Sequence, residues 1–167
     1  MINRNQILLL AMSFCCTQLF AECNSSLASS NSFKDYVVSQ NGTVVDKRTN
    51  LMWKQCTQGL SGVNCPGNPQ VFTWSQALQE ANNSNFAEFS DWRIPNVKEL
   101  RSLVEYSCSN PSIIEEIFPN TRPWYYWSST PYAPNDTDTW RVSFDHGQDF
   151  LHNRDGSYYV RLVRSIN

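Results

Sequence analysis

The chain has 167 residues, 41% hydrophobic and 17% charged, with a formal net charge of −2. That length suits one domain with a core of its own. The acidic balance argues against a dedicated nucleic-acid binder, which shows a basic excess, and no stretch beyond the N-terminus is long and apolar enough to span a membrane.

Residues 1–21 read as an export signal. Arg4 opens a positive region, Ile7 to Phe14 is a short apolar run, and Leu19-Phe20-Ala21 ends on a small residue. The sequences before Cys16 and Cys23 fit a lipid-attachment box poorly. Without this segment the chain keeps 12 basic and 15 acidic side chains, a net charge of about −3. It also keeps four cysteines, and an even number in an exported chain reads as two disulfides. Cys56 and Cys65 enclose a Gly/Asn/Pro-rich loop that suits a local bridge. Cys23 then pairs with Cys108. These spacings offer no compact zinc cluster.

Residues 22–42 read as an N-terminal arm or linker, because Asn24 to Asp35 is rich in Ser and Asn and poor in apolar residues. The domain proper is expected over residues 43–167. Thr43 to Asp46 and Leu51 to Lys54 flank a polar turn and predict a hairpin. Thr73 can cap a helix with Trp74, Ala77, Leu78 and Ala81 on one face, ended by Asn82-Asn83-Ser84-Asn85.

The central stretch runs from Asp91 to Glu105. Pro95 keeps Ile94 extended, and Asn96 with Glu99 forms a capping box. Val97, Leu100, Leu103 and Val104 fall on one helical face, with Lys98, Arg101, Ser102 and Glu105 on the wet side. Trp92 and Ile94 alternate with Asp91 and Arg93, so one side of the extended piece can pack beneath this helix.

Cys108 to Thr121 reads as a polar loop with an apolar insert at Ile113, Ile114, Ile117 and Phe118. Tyr125 to Thr130 is a strand by its aromatic and β-favouring residues. Thr139 to Phe144 alternates, Asp145-His146-Gly147-Gln148 is a turn, and Asp149 to His152 pairs back. Tyr158 to Val163 closes the domain as a last alternating strand that shares a sheet with the first hairpin. The tally is an α+β domain: two helices, short antiparallel strands and long loops.

Several pieces in this order resemble a known family: Leu51-Met52-Trp53, the Trp74 helix, Asp91 to Glu105, Phe118 to Thr121, Tyr126 to Thr130 and Tyr159 to Arg164. The chain is similar over about Thr43 to Arg164 to the Lcl C-terminal domain family, named after a bacterial collagen-like adhesin. The resemblance implies a C-type-lectin-like domain, a relative of the formylglycine-generating enzyme fold, with an extracellular role in adhesion or glycan binding. It carries over no catalytic residues. The chain has no collagen-like repeat of its own.

Candidate chemistry is sparse. His146 and His152 could approach Asp145 and Asp149, though a polar hairpin explains them more simply. Asn135 to Asp138 offers too few oxygens for calcium. Trp53, Trp92, Trp127 and Trp140 read as core. Arg93, Arg161 and Arg164 read as internal partners of Asp91 or Glu99. The expected binding surface unites the loops 119–138 and 145–155: Trp124 and Tyr125 supply flat rings, and Asp149, Asn153, Arg154 and Asp155 supply acceptors and donors. The resulting expectation is an exported, non-enzymatic module in the periplasm, at the surface or secreted. Its partner would be an extracellular glycan or surface protein, with no cofactor and oligomerisation left open. The alternatives are a formylglycine-generating type of enzyme and a structural envelope component.

Overall fold

A computed structural model describes residues 21–166. Apart from Ala21, the expected export signal lies outside the described residues. The molecule is mixed α+β, and every pair of strands is antiparallel.

The first sheet has the order β2-β3-β4-β9, formed by Tyr36–Val38, Thr43–Asp46, Leu51–Lys54 and Val163–Ser165. Its β3–β4 hairpin has the expected bounds. Asn50 sits in the turn at φ 54°, a left-handed conformation that Asn tolerates better than most residues. The chain ends meet here as expected, since β9 pairs with β4. The last strand is nevertheless shorter and later than its pattern predicted. Val160, Arg161, Leu162 and Val163 are all buried, so this segment has no wet face to alternate. Tyr158 and Tyr159 make only single bridges, to Phe72 and Tyr126.

Helix α1, Trp74–Asn82, carries the Thr73–Gln76 capping box. Its buried edge is Ala77 and Ala81, while Leu78 is 38% exposed. Leu78 stands one step, about 100°, round from Ala77, which carries it off the contact stripe. Helix α2, Val97–Arg101, carries the Asn96–Glu99 capping box. It ends earlier than its apolar pattern suggested. Tight bonds from Leu103 to Leu100 and from Val104 to Arg101 close its last turn. Leu103 and Val104 are buried all the same, as chain beyond the helix.

The extended piece before α2 pairs with β9 through reciprocal Arg93–Val163 backbone bonds of 2.9 and 3.0 Å. The Arg93 side chain reaches Glu99 on α2, with bonds of 2.7 and 2.8 Å. Strand alternation therefore sends Trp92 and Ile94 the other way. They do not pack beneath α2 but join Ala77, Ala81, Trp127, Val160 and Leu162 near α1. The larger core gathers Trp53, Leu100, Leu103, Val104, Ile113, Ile114, Ile117, Phe118, Tyr126, Val142 and Phe144. The apolar insert of the 108–121 loop is thus part of the core.

The second sheet is a meander of β6 (Tyr125–Pro131), β7 (Asp138–Ser143) and β8 (Asp149–Asn153). Gly147 makes the β7–β8 turn at φ 74°, where a side chain would be strained. Trp140, expected in the core, is only half-buried.

Both disulfides are present, Cys23–Cys108 and Cys56–Cys65. A two-stranded pair surrounds the first, β1 (Glu22–Cys23) with β5 (Cys108–Ser109). The stretch expected to be loosely held is docked. Ser29 Oγ and the Ser30 and Asn31 amides donate to Glu105 at 2.7, 3.1 and 2.8 Å, and β2 joins the first sheet. Glu105, expected on the wet side, is 2% exposed. The arm covers it.

Candidate functional site

Pairing in the meander decides which residues share an end. Tyr125 lies opposite Ser143 and Val142 opposite Asp149, whereas Asp138 lies opposite Asn153. Trp124, Tyr125 and Asp149 therefore occupy one end. Asn153, Arg154 and Asp155 occupy the other, beside the 132–137 turn, where the Arg154 amide donates to Thr137 O at 3.0 Å. The six candidate residues do not form one loop cluster, because an antiparallel strand carries the chain to the opposite end before it turns.

Alternation across β8 then sorts them by face. Phe150 packs edge-on to Tyr125, with ring centroids 5.5 Å apart. Asp149, one residue earlier, points to the other face, where Arg101 of α2 stands 3.5 Å away. Asn153 accepts the Asp155 amide at 2.9 Å and so shapes its own turn. Asp155 is exposed.

The meander face that carries Tyr125, Trp127 and Phe150 is aromatic; Phe150 is exposed at its outer end, while Trp127 is buried in the core cluster near α1. Trp124 is 54% exposed and lies 5.1 Å from Tyr125 in an edge-to-face pair. Tyr125 itself is half-buried, more enclosed than expected, because Tyr158 lies 5.6 Å from it and the Arg141 guanidinium 3.6 Å from its ring centre. His152 follows, 5.2 Å from Tyr158. Gly156 permits this packing: a Cβ there would stand 2.7 Å from Tyr158 and 2.9 Å from His152.

Arg141 organises these rings, and the sequence reading passed over it. Its guanidinium lies 3.6 Å from the Tyr125 ring centre and 4.3 Å from that of Tyr158. The residue is 8% exposed, and its buried Nε and Nη1 have no hydrogen-bond partner. The two ring faces hold the cation instead. At the far end Arg154 lies 4.3 Å from the Trp74 ring. The available signal was the mid-strand Arg of Thr139 to Phe144, which the register sets on the same face as Tyr125, between Trp127 and Phe150.

The other arginines are structural. Arg93 pairs with Glu99, and Arg164 with Asp91 at 2.6 Å, as expected. Arg161 does neither. It is fully buried and donates to the carbonyls of Lys54 and Gln55 and to the hydroxyls of Thr57 and Thr121. Burial pulls its pKa down to about 10.

His146 and His152 stay apart: His146 approaches Asp145 at 3.5 Å, and His152 bonds to the Asn153 carbonyl at 2.9 Å. Asn135 closes its own turn onto Thr137 at 2.9 Å. Among the described residues no cluster of three or more metal-ligating side chains occurs, and no helix is long and apolar enough to cross a membrane. A separate cleft of about 430 Å³ lies between the β2–β3 turn and the Cys56–Cys65 loop, with Lys54, Phe86 and Glu116 in its lining.

These features define a disulfide-linked α+β domain with the rings of Trp124 and Phe150 exposed at one end of its three-stranded meander. A family model, the Lcl C-terminal domain, matches residues 42–164. The chain belongs to that family. No curated protein matches it.

Proposed function

We propose that this protein is an exported, non-enzymatic binding module of C-type-lectin-like architecture that recognises glycans on the outer face of the β6–β7–β8 meander. The observation that carries the reading is the exposed ring of Trp124, set edge-on to Tyr125 and continued by Phe150, which is 37% exposed. Such rings offer a flat apolar surface to the C–H face of a sugar, and the polar residues at their margin can meet its hydroxyls. Family membership supports an extracytoplasmic setting, as do two disulfides, which persist in oxidising compartments. Against an enzyme of the formylglycine-generating type, the four described cysteines are all paired, so none offers the thiol that such chemistry uses.

A glycan array probed with the folded domain tests the reading. Trp124→Ala is expected to lose binding while the melting temperature stays within a degree or two, as for a surface change. A variant that binds as well as the parent would remove this face from consideration.

One observation favours a second reading, a protein partner. Val37 and Val38 lie on the edge strand β2 and are 48% and 46% exposed. Edge strands can pair with another chain. Val38→Lys would block such pairing and leave the aromatic face intact.

A further inference from the structure

Lys54, at the end of β4, is a buried cation that the aromatic face does not use. It is 8% exposed, and its Nζ donates to Gln58 Oε1 at 2.7 Å. Gln58 Nε2 in turn donates to Glu80 Oε1 at 2.6 Å, so the acid on this path is one amide away. Among the described residues no carboxylate lies within ion-pair distance of Lys54. A second buried cation stands beside it, since Arg161 donates to the Lys54 carbonyl at 3.3 Å. Buried lysines are ordinarily paired with an acid. Burial lowers the Lys54 pKa, and the Arg161 charge lowers it further against the pull of Glu80.

Lys54 also lines the cleft between the β2–β3 turn and the Cys56–Cys65 loop. Its volume of about 430 Å³ falls within the range of small-molecule sites, about 300–1,000 Å³. Val38, Leu60, Val63, Phe86 and Pro119 give it apolar walls. The Phe86 ring centre stands 5.0 Å from Lys54 Nζ. A two-residue turn sets Phe86 there, closed by reciprocal 3.1 Å bonds with Phe89 and carrying Ala87 and Glu88 at φ 52° and 68°. Neither residue is glycine, and such a turn is strained unless its surroundings enforce it. Glu116, exposed in the same lining, and Glu80, beyond Gln58, offset the two cations. The cleft therefore holds no excess of charge that would draw in an anion.

We propose that this cleft is a carbonyl-binding site, in which Lys54 Nζ reversibly captures a small neutral aldehyde with an apolar body. A desolvated amine beside another cation is the setting that makes a lysine nucleophilic, and a perturbed amine in a cleft marks a functional site more often than a buried ion pair does. The Nζ lone pair attacks the carbonyl carbon, and a C–N bond forms as the C=O π bond opens. The oxygen takes the two protons that the nitrogen gives up and leaves as water. The product is an imine on Lys54, and neither partner is oxidised. The site is separate from the aromatic face and does not depend on the glycan reading.

The test treats the parent chain at neutral pH with benzaldehyde and cyanoborohydride, which reduces an imine to a stable amine, and locates the label by peptide mapping. The chain has four lysines, and Lys34, Lys47 and Lys98 are exposed. The expected result is that Lys54 carries more label than any of the exposed three. It should lose that lead in urea, where all four stand in water. Glyoxylate, an aldehyde that bears a carboxylate, should show no preference for Lys54. A folded chain labelled at the exposed lysines and not at Lys54 would make Lys54 a structural residue and overturn the proposal. A lead that persists in urea, or a preference of glyoxylate for Lys54, overturns it as well, the first by removing the cleft and the second by making the ligand an anion. The comparison is made between lysines of one chain and depends on no variant.

Discussion

The backbone amide of Asn31 donates to the Glu105 carboxylate at 2.8 Å, across 74 residues of sequence. Four more donors meet the same carboxylate: Ser29 Oγ, the Ser30 amide, and the amide and hydroxyl of Ser107. An acid at 2% exposure with no cation bonded to it is costly unless it is hydrogen-bonded in this way. A buried anion thus fastens the N-terminal arm to the domain.

Acid should therefore loosen the arm. Burial raises the Glu105 pKa, but the bonds led by Ser107 outweigh it and bring the value from 4.5 to about 2. A depressed folded pKa means that the stabilisation is complete above about 4.5 and drains away as the pH falls towards 2. The parent's melting temperature should fall more steeply over that window than that of Glu105→Gln. At neutral pH the variant should be less stable by about 2–3 kcal/mol. Identical acid limbs for the two proteins would show that Glu105 contributes nothing.

Leu100 is fully buried and Lys98 is exposed on the same short helix. Leu100→Ala should cost roughly 2–5 kcal/mol through the cavity it opens. Lys98→Ala should stay within about 0.5 kcal/mol. Denaturant unfolding of the two variants checks both values, and equal costs would mean that the wrong face of α2 has been placed inward.

Arg161 joins the end of β4 to Thr121 through its buried guanidinium, with a bond of 2.8 Å to the Thr121 hydroxyl. Arg161→Met should cost about 3 kcal/mol or more, since it removes the buried donor shared by the Lys54 and Gln55 carbonyls and the Thr121 hydroxyl. Arg161→Lys should recover only part of that, because an ammonium cannot reproduce the planar fork. Full recovery by lysine, measured by thermal melting, would reduce the site to a bare charge.

The two disulfides should differ in effect. Cys23–Cys108 closes 85 residues of chain and Cys56–Cys65 closes 9. Loop-closure entropy puts their contributions at about 4–5 and about 2–3 kcal/mol. Paired Cys→Ser variants should rank in that order by denaturant midpoint. The reverse order would point to strong residual structure in the unfolded chain.

Much of this protein was legible before its tertiary structure. The β3–β4 hairpin, both capping boxes, the two cysteine pairs and the Arg93–Glu99 contact each depend on residues near in sequence or on counting. Trp124 declared itself by following Pro123 in a loop, and it is exposed. Other features depended on what packs against each segment. Residues 158–163 carry a strand pattern, yet both sides are covered, so periodicity had no wet face to report. Glu105 fits the polar side of a helix that ends at Arg101, and only the returning arm makes it a buried anion. The six binding candidates were grouped by loop, whereas antiparallel pairing separates their ends and alternation turns Asp149 towards Arg101. Arg141 lay hidden for the same reason. Its partners are tyrosines on β6 and near the end of the chain, brought to one face only by the register of the sheet. Local chemistry is written in neighbouring residues, but the composition of a face is set by pairing between strands distant in sequence.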